Sequence, residues 1–180
     1  MLVATTPVAA GDMKDAEAAV FRLWKPLADQ GDMHSQALIG MMYYRVAGVP
    51  KDYAKAVFSS TKAVKQEHAP AQYHLGAMCA QGKGVPEDYA KGAHWFTKAA
   101  KQGHVKAQYY RGAIYYQGTG VPEDYVLAYA WVNIAAAQGR ADGKKAKAII
   151  AKRMTPTQIA EAQKLSREIW EKYVVLFQKK

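Results

Sequence analysis

The string Gly82-Lys83-Gly84-Val85-Pro86-Glu87-Asp88-Tyr89 returns almost unchanged as Gly118-Thr119-Gly120-Val121-Pro122-Glu123-Asp124-Tyr125, and in a worn copy as Gly48-Val49-Pro50-Lys51-Asp52-Tyr53. Asp52, Asp88 and Asp124 therefore stand 36 residues apart. A fixed period of that size leaves few options: each unit is one supersecondary element that cannot bury its apolar face alone, so the units must stack. The same spacing relates Ala63, Ala99 and Ala135, then Gln30, Gln66, Gln102 and Gln138, then Gln36, Gln72 and Gln108, then Gly40, Gly76 and Gly112. Small residues recur where two helices must approach closely, and Tyr53, Tyr89 and Tyr125 recur where a large side chain can wedge between units. The pattern is that of one helix pair per unit.

The spacing predicts units over residues 12–51, 52–87, 88–123 and 124–154, each an A helix followed by a B helix. In the first unit the A helix covers 12–29, with Ala16, Ala19, Val20, Leu23, Trp24 and Leu27 as its inward face and a kink or tightened turn at Pro26. Its B helix runs from Met33 or Ser35 to Val46. In the next two units the helices are expected over 52–66 and 69–81, then 88–102 and 105–117, each A helix capped by the aspartate of the turn. The last unit changes character. The polar stripe of the earlier A helices becomes Leu127, Ala130, Ile134 and Ala137, so protein must cover a face that water covers elsewhere. The cover is read as a C-terminal helix after residues 141–153: Thr155-Pro156-Thr157-Gln158 supplies a capping box, and Ile159, Ala162, Leu165, Ile169, Tyr173 and Leu176 follow at helical spacing.

Composition excludes several classes. No apolar run is long enough to span a bilayer. Cys79 is the sole cysteine, which rules out an internal disulfide and any multi-cysteine zinc site, and it reads as a core thiol. The formal charge of +10 is concentrated late, with eleven basic against four acidic side chains over residues 138–180. That end would attract an acidic partner. Nucleic-acid binding is not expected, because no binding motif or Arg-rich cluster accompanies the charge. His68 and His104 hold equivalent slots in adjacent units, too far apart to share a metal ion, and His34, His74 and His94 lack ligand spacing. The Gly-x-Gly strings follow a helix rather than a strand, so they read as turns and not phosphate loops. With no nucleophilic or acid–base constellation and no cofactor motif, the chain reads as non-catalytic and cofactor-free.

The phrases Ala107-Gln108-x-x-x-Gly112-x-x-Tyr115-x-x-Gly118-x-Gly120-Val121-Pro122-x-Asp124-Tyr125 and Trp95-Phe96-x-Lys98-Ala99-Ala100-x-Gln102-Gly103 closely resemble Sel1-like repeats, relatives of the tetratricopeptide repeats. Trp24-Lys25-Pro26-Leu27-Ala28-Asp29-Gln30-Gly31-Asp32 is similar to first repeats of bacterial members, and Met154 to Gln163 to their closing segment. Departures occur at Ser59-Ser60, where an aromatic pair is expected, and at Gly48, which lacks its partner glycine. The resemblance implies an all-α, right-handed α-solenoid with a C-terminal capping helix over 155–180 and a disordered segment over 1–11. It implies a protein-interaction scaffold that takes a protein or peptide, with an envelope polymer such as peptidoglycan as the alternative ligand. It also implies an exported, periplasmic setting, which the small residues Ala4, Ala9 and Ala10 would suit as a mature N-terminus. If A helices line the concave side, Lys55, Phe58, Lys62, Lys91, His94 and Lys98 form a basic groove suited to an acidic segment.

Overall fold

In a computed structural model, residues 10–175 are described. Among them are nine α-helices, a closing π-helical turn and no strand. The helices are α1 (Ala10–Asp29), α2 (Met33–Arg45), α3 (Tyr53–Lys65), α4 (Ala69–Ala80), α5 (Tyr89–Lys101), α6 (Val105–Gln117), α7 (Tyr125–Ala137), α8 (Gly143–Ala151) and α9 (Pro156–Ile169), with the π turn at Trp170–Val175. The odd-numbered helices through α7 are the A helices, the even-numbered ones the B helices. From α1 to α8 each packs on its sequence neighbours in single file, and α9 returns to pack on α7, which is the α-solenoid with a C-terminal capping helix expected. Of the segment expected to be disordered, residues 1–9 lie outside the described part, as does Leu176, whereas Ala10 and Gly11 already belong to α1.

The tightest pairs are α2 with α3, α4 with α5, and α6 with α7. The recurring glycines explain why. A Cβ on Gly112 would lie 2.5 Å from Val132 Cγ2 and 2.8 Å from the Ala128 carbonyl oxygen, and one on Gly76 would lie 3.1 Å from the Gly92 carbonyl oxygen. The second glycine of each turn serves the next contact along the stack. Gly120, at φ +74°, brings its backbone so close to the start of α5 that a Cβ would meet the Tyr89 carbonyl carbon at 2.6 Å. The repeated turn is thus both a bend and a packing surface.

The caps follow the sequence. Asp52, Asp88 and Asp124 each accept the backbone N–H three residues on, from Lys55, Lys91 and Leu127, at 2.9 Å. In the B helices the equivalent service comes from Asp32 and then from two imidazoles: His68 Nδ1 and His104 Nδ1 accept from the Ala71 and Ala107 N–H groups at 3.2 Å. Arg140 stands in the fourth such slot and has no acceptor to offer. That accounts for α8 beginning at Gly143, two residues later than expected, without a side-chain cap.

The recurring glutamines form a ladder. Gln66, Gln102 and Gln138, at the ends of A helices, donate to Gln36 at 3.0 Å, Gln72 at 2.8 Å and Gln108 at 2.6 Å in the preceding B helices. Gln36 and Gln108 pass the chain on to the Ala28 and Ala100 carbonyls. All three acceptors are buried, so each polar core group is matched by another 30 residues along the chain.

Two expectations need correction. The inward face of α1 is Phe21, Trp24 and Ala28, packed on Ile39 and Met42, while Val20, Leu23 and Leu27 are 39%, 67% and 41% exposed. The apolar arc of α1 is wider than its one neighbour covers, and periodicity cannot say which side that neighbour takes. Pro26 lies inside the helix, which runs through it to Asp29, the end expected. At the other end the capping box of α9 forms as expected, with both reciprocal hydrogen bonds between Thr155 and Gln158. Helix α9 lays Ala162, Ser166 and Ile169 on α7, where Ala130 and Ile134 are buried, although Ala137 stays exposed. The π turn then widens the helix and brings Val174 into the core, with Tyr173 stacked on Trp131 at 6.3 Å. Cys79 is buried, and burial pushes its thiol pKa up.

Candidate functional site

A groove of about 440 Å³ runs across α2, α4 and α6, with Phe96 of α5 at its base. Its aromatic floor is continuous: Phe96 and Tyr110 stack at 5.5 Å with a 14° interplanar angle, and Tyr73 lies 5.7 Å from Phe96 and 5.8 Å from Tyr110. Burial raises the Tyr73 phenol to about 12, with Tyr110 adding to the shift. Tyr73 also stacks on the capping His104 at 4.9 Å, so the floor is tied to the cap of α6. At one end Tyr44 donates to Gln81 at 3.1 Å and accepts from Lys83 Nζ at 3.0 Å.

The electrostatics are one-sided. Arg45 and Lys106 stand exposed at the rim, and no carboxylate lines the groove. His74 sits between them, and burial, reinforced by Arg45 and Lys106, lowers it to about 4. His104 is held at about 4 by burial, with His74 and Lys106 reinforcing it. Both imidazoles are therefore neutral near pH 7, and the fixed positive charge comes from Arg45 and Lys106. An apolar or aromatic side chain flanked by carboxylates is the chemistry such a surface accommodates.

The six residues singled out in the sequence lie elsewhere, on α3 and α5. Lys55 pairs with Asp52 at 3.2 Å and sits 5.5 Å over the Tyr43 ring. Phe58 is 63% exposed with the Lys62 ammonium 4.5 Å from its ring centroid. These three line a smaller depression of about 220 Å³ with α1 and α2, at the place where Ser59 stands for the tryptophans of later units. Lys91 pairs with Asp88 at 3.2 Å, His94 is exposed with its ring 5.0 Å from Trp95, and Lys98 lies over Trp95 at 5.2 Å. The two halves of the set do not share one depression. Tyr73, His74, Lys106 and Tyr110 were missed by sequence reasoning; the available signal was the string Ala71-Gln72-Tyr73-His74 with its echo Ala107-Gln108-Tyr109-Tyr110. The histidines weighed as metal ligands include two that serve as helix caps, and among the described residues no three potential ligands converge. No helix of the described residues is long and apolar enough to cross a membrane.

Comparison with known proteins follows the geometry. The family model of the Sel1 repeat matches residues 34–67, 69–104 and 105–139, pairing each B helix with the A helix after it, as the tightest contacts do. Among solved structures, a protective antigen of uropathogenic Escherichia coli strains displaying an SLR fold is similar at 37% identity and TM-score 0.83, over 88% of this chain and 34% of that one. A Sel1 repeat protein from Oxalobacter formigenes is similar at 29% identity and TM-score 0.69, over 84% of this chain and 46% of that one. The chain thus spans about a third and about half of those two relatives. Comparison with curated proteins finds no match. Period, turn, glutamine ladder and matched segments together place the chain in the Sel1 repeat family.

Proposed function

We propose that this protein is a non-catalytic interaction scaffold whose groove on α2, α4 and α6 takes a peptide segment bearing an apolar or aromatic residue between acidic ones. The observation that carries the reading is an aromatic floor with Arg45 and Lys106 at its rim and no carboxylate among its lining residues. Sel1 repeats in general mediate protein–protein contact, which supports a protein ligand. The Escherichia coli relative is a protective antigen, which supports an exported setting for this chain too, testable by fractionating cells that express it.

The test is titration of a fluorescent peptide library with one central Phe or Leu flanked by Glu. Arg45→Glu with Lys106→Glu weakens binding at least tenfold, as two reversed contacts of about 1 kcal/mol each require. Tyr110→Ala weakens it through the floor. Equal affinity in wild type and variants would remove the groove from consideration, and co-sedimentation with purified sacculi would favour the peptidoglycan alternative instead. The exposed Phe58 with Lys62 over it supports a second contact on the basic stripe of the A helices. Reversing Lys62 and Lys98 to Glu tests that face separately.

A further inference from the structure

The 36-residue period gives each position of α1 and α8 a counterpart inside the stack. Val20 and Leu27 correspond to Ala56 and Ala63 of α3 and to Ala128 and Ala135 of α7, all fully buried. These counterparts lie where an A helix meets the B helix before it, at Gly40 or Gly112. Among the described residues no B helix precedes α1, and Val20, Leu23 and Leu27 face outward.

At the opposite end α8 occupies a B-helix slot. Ala148, the counterpart of Gly40, Gly76 and Gly112, is exposed, and Ile149 beside it is 53% exposed. Helix α9 falls in the sequence register of the A helix that should cover them. The residues at the counterparts of Ala56, Ser60 and Ala63 are Lys164 and Glu168 of α9 and Glu171 of the π turn, all exposed. Helix α9 is instead seated on α7. Among the described residues, one half of the B–A contact is therefore open on α1 and the other on α8.

The halves also complement one another in charge. From Gly143 to Arg153 every charged residue is basic, while α1 and its turn carry Asp12, Asp15, Glu17, Asp29 and Asp32 against Lys14, Arg22 and Lys25. The glutamine ladder has matching open ends: Gln30 is exposed, and the position that would receive it is Lys144, whose ammonium can donate to the amide oxygen.

We propose that the chain associates head to tail with a second copy of itself, α8 of one copy seating on α1 of the next and continuing the B–A packing across the boundary. Such a contact is heterologous and does not close on itself, so copies can add in a row. Val20 and Leu27 are larger than the alanines inside the stack and hold the helices further apart, which makes the association reversible rather than permanent.

Sedimentation velocity over a concentration series tests it. Wild type gains mass with concentration. Leu23→Glu removes the α1 face and Ala148→Glu the α8 face; both sites are exposed, so the fold is retained, which thermal melting checks. Each variant alone stays monomeric. An equimolar mixture forms a one-to-one pair and nothing larger, because only one live face of each kind remains. A wild type that is monomeric into the millimolar range, a mixture of folded variants that fails to pair, or single variants that still dimerise would each overturn the proposal. The Arg45→Glu, Lys106→Glu variant leaves the association intact, which separates this contact from the groove.

Discussion

Two residues stand where the repeat asks for glycine. Val46 occupies the slot of Gly82 and Gly118 and has φ +65°, and Glu67 occupies the slot of Gly31 and Gly103 with φ +60°. A branched residue in the left-handed region costs about 1–2 kcal/mol, partly offset by the chain entropy that glycine would add. Val46 is half exposed and loses little packing, so Val46→Gly should raise stability by about 0.5–1 kcal/mol, read as a higher melting temperature. The capping histidine makes a pH prediction. His74 and His104 are held near 4, below their ordinary value of 6.5, so the unfolded chain binds more protons between those values. Stability is then fully present above pH 6.5 and falls as the pH drops toward 4. Urea unfolding at pH 7.5 and 4.5 checks it, with the midpoint lower at pH 4.5.

Between elements, close approach and paired amides set the geometry. Gly112→Ala should destabilise the protein by about 1–3 kcal/mol despite the better helix propensity of alanine, because Val132 and the α7 backbone have little room to move. Gln108→Leu removes the acceptor for Gln138 and the donor for the Ala100 carbonyl, at a cost of about 1–3 kcal/mol in chemical denaturation. The recurrence of both residues was legible in the sequence, and so was the need for close packing at the glycines. The ladder was not, because bonded partners lie 30 residues apart rather than one period, across a helix boundary that only packing defines.

Over the whole molecule, stability runs along the stack, and its last link is α9. Ile169 is 7% exposed against Trp131 and Ile134, so Ile169→Ala should cost about 2–5 kcal/mol and loosen the C-terminal units before the N-terminal ones. Hydrogen exchange resolved along the chain would show that order; uniform loss of protection would contradict it. This capping role was readable from the apolar conversion of one stripe at Leu127, Ala130 and Ile134. The side of the stack that holds the larger groove was not. The sequence reading drew attention to a basic stripe on the A helices, and the larger groove lies on the B helices, at Tyr73, Lys106 and Tyr110.

Period, turn chemistry and capping patterns are local properties, and they determined the solenoid, its helix boundaries to within a few residues and its terminal cap. Groove position, the exposed flank of α1 and the open face of α8 depend on which of two apolar arcs each helix gives to its neighbour. That choice is made by packing between helices, where one methyl group at Gly40 or Gly112 outweighs a whole stripe of propensities, and so only the tertiary structure could decide it.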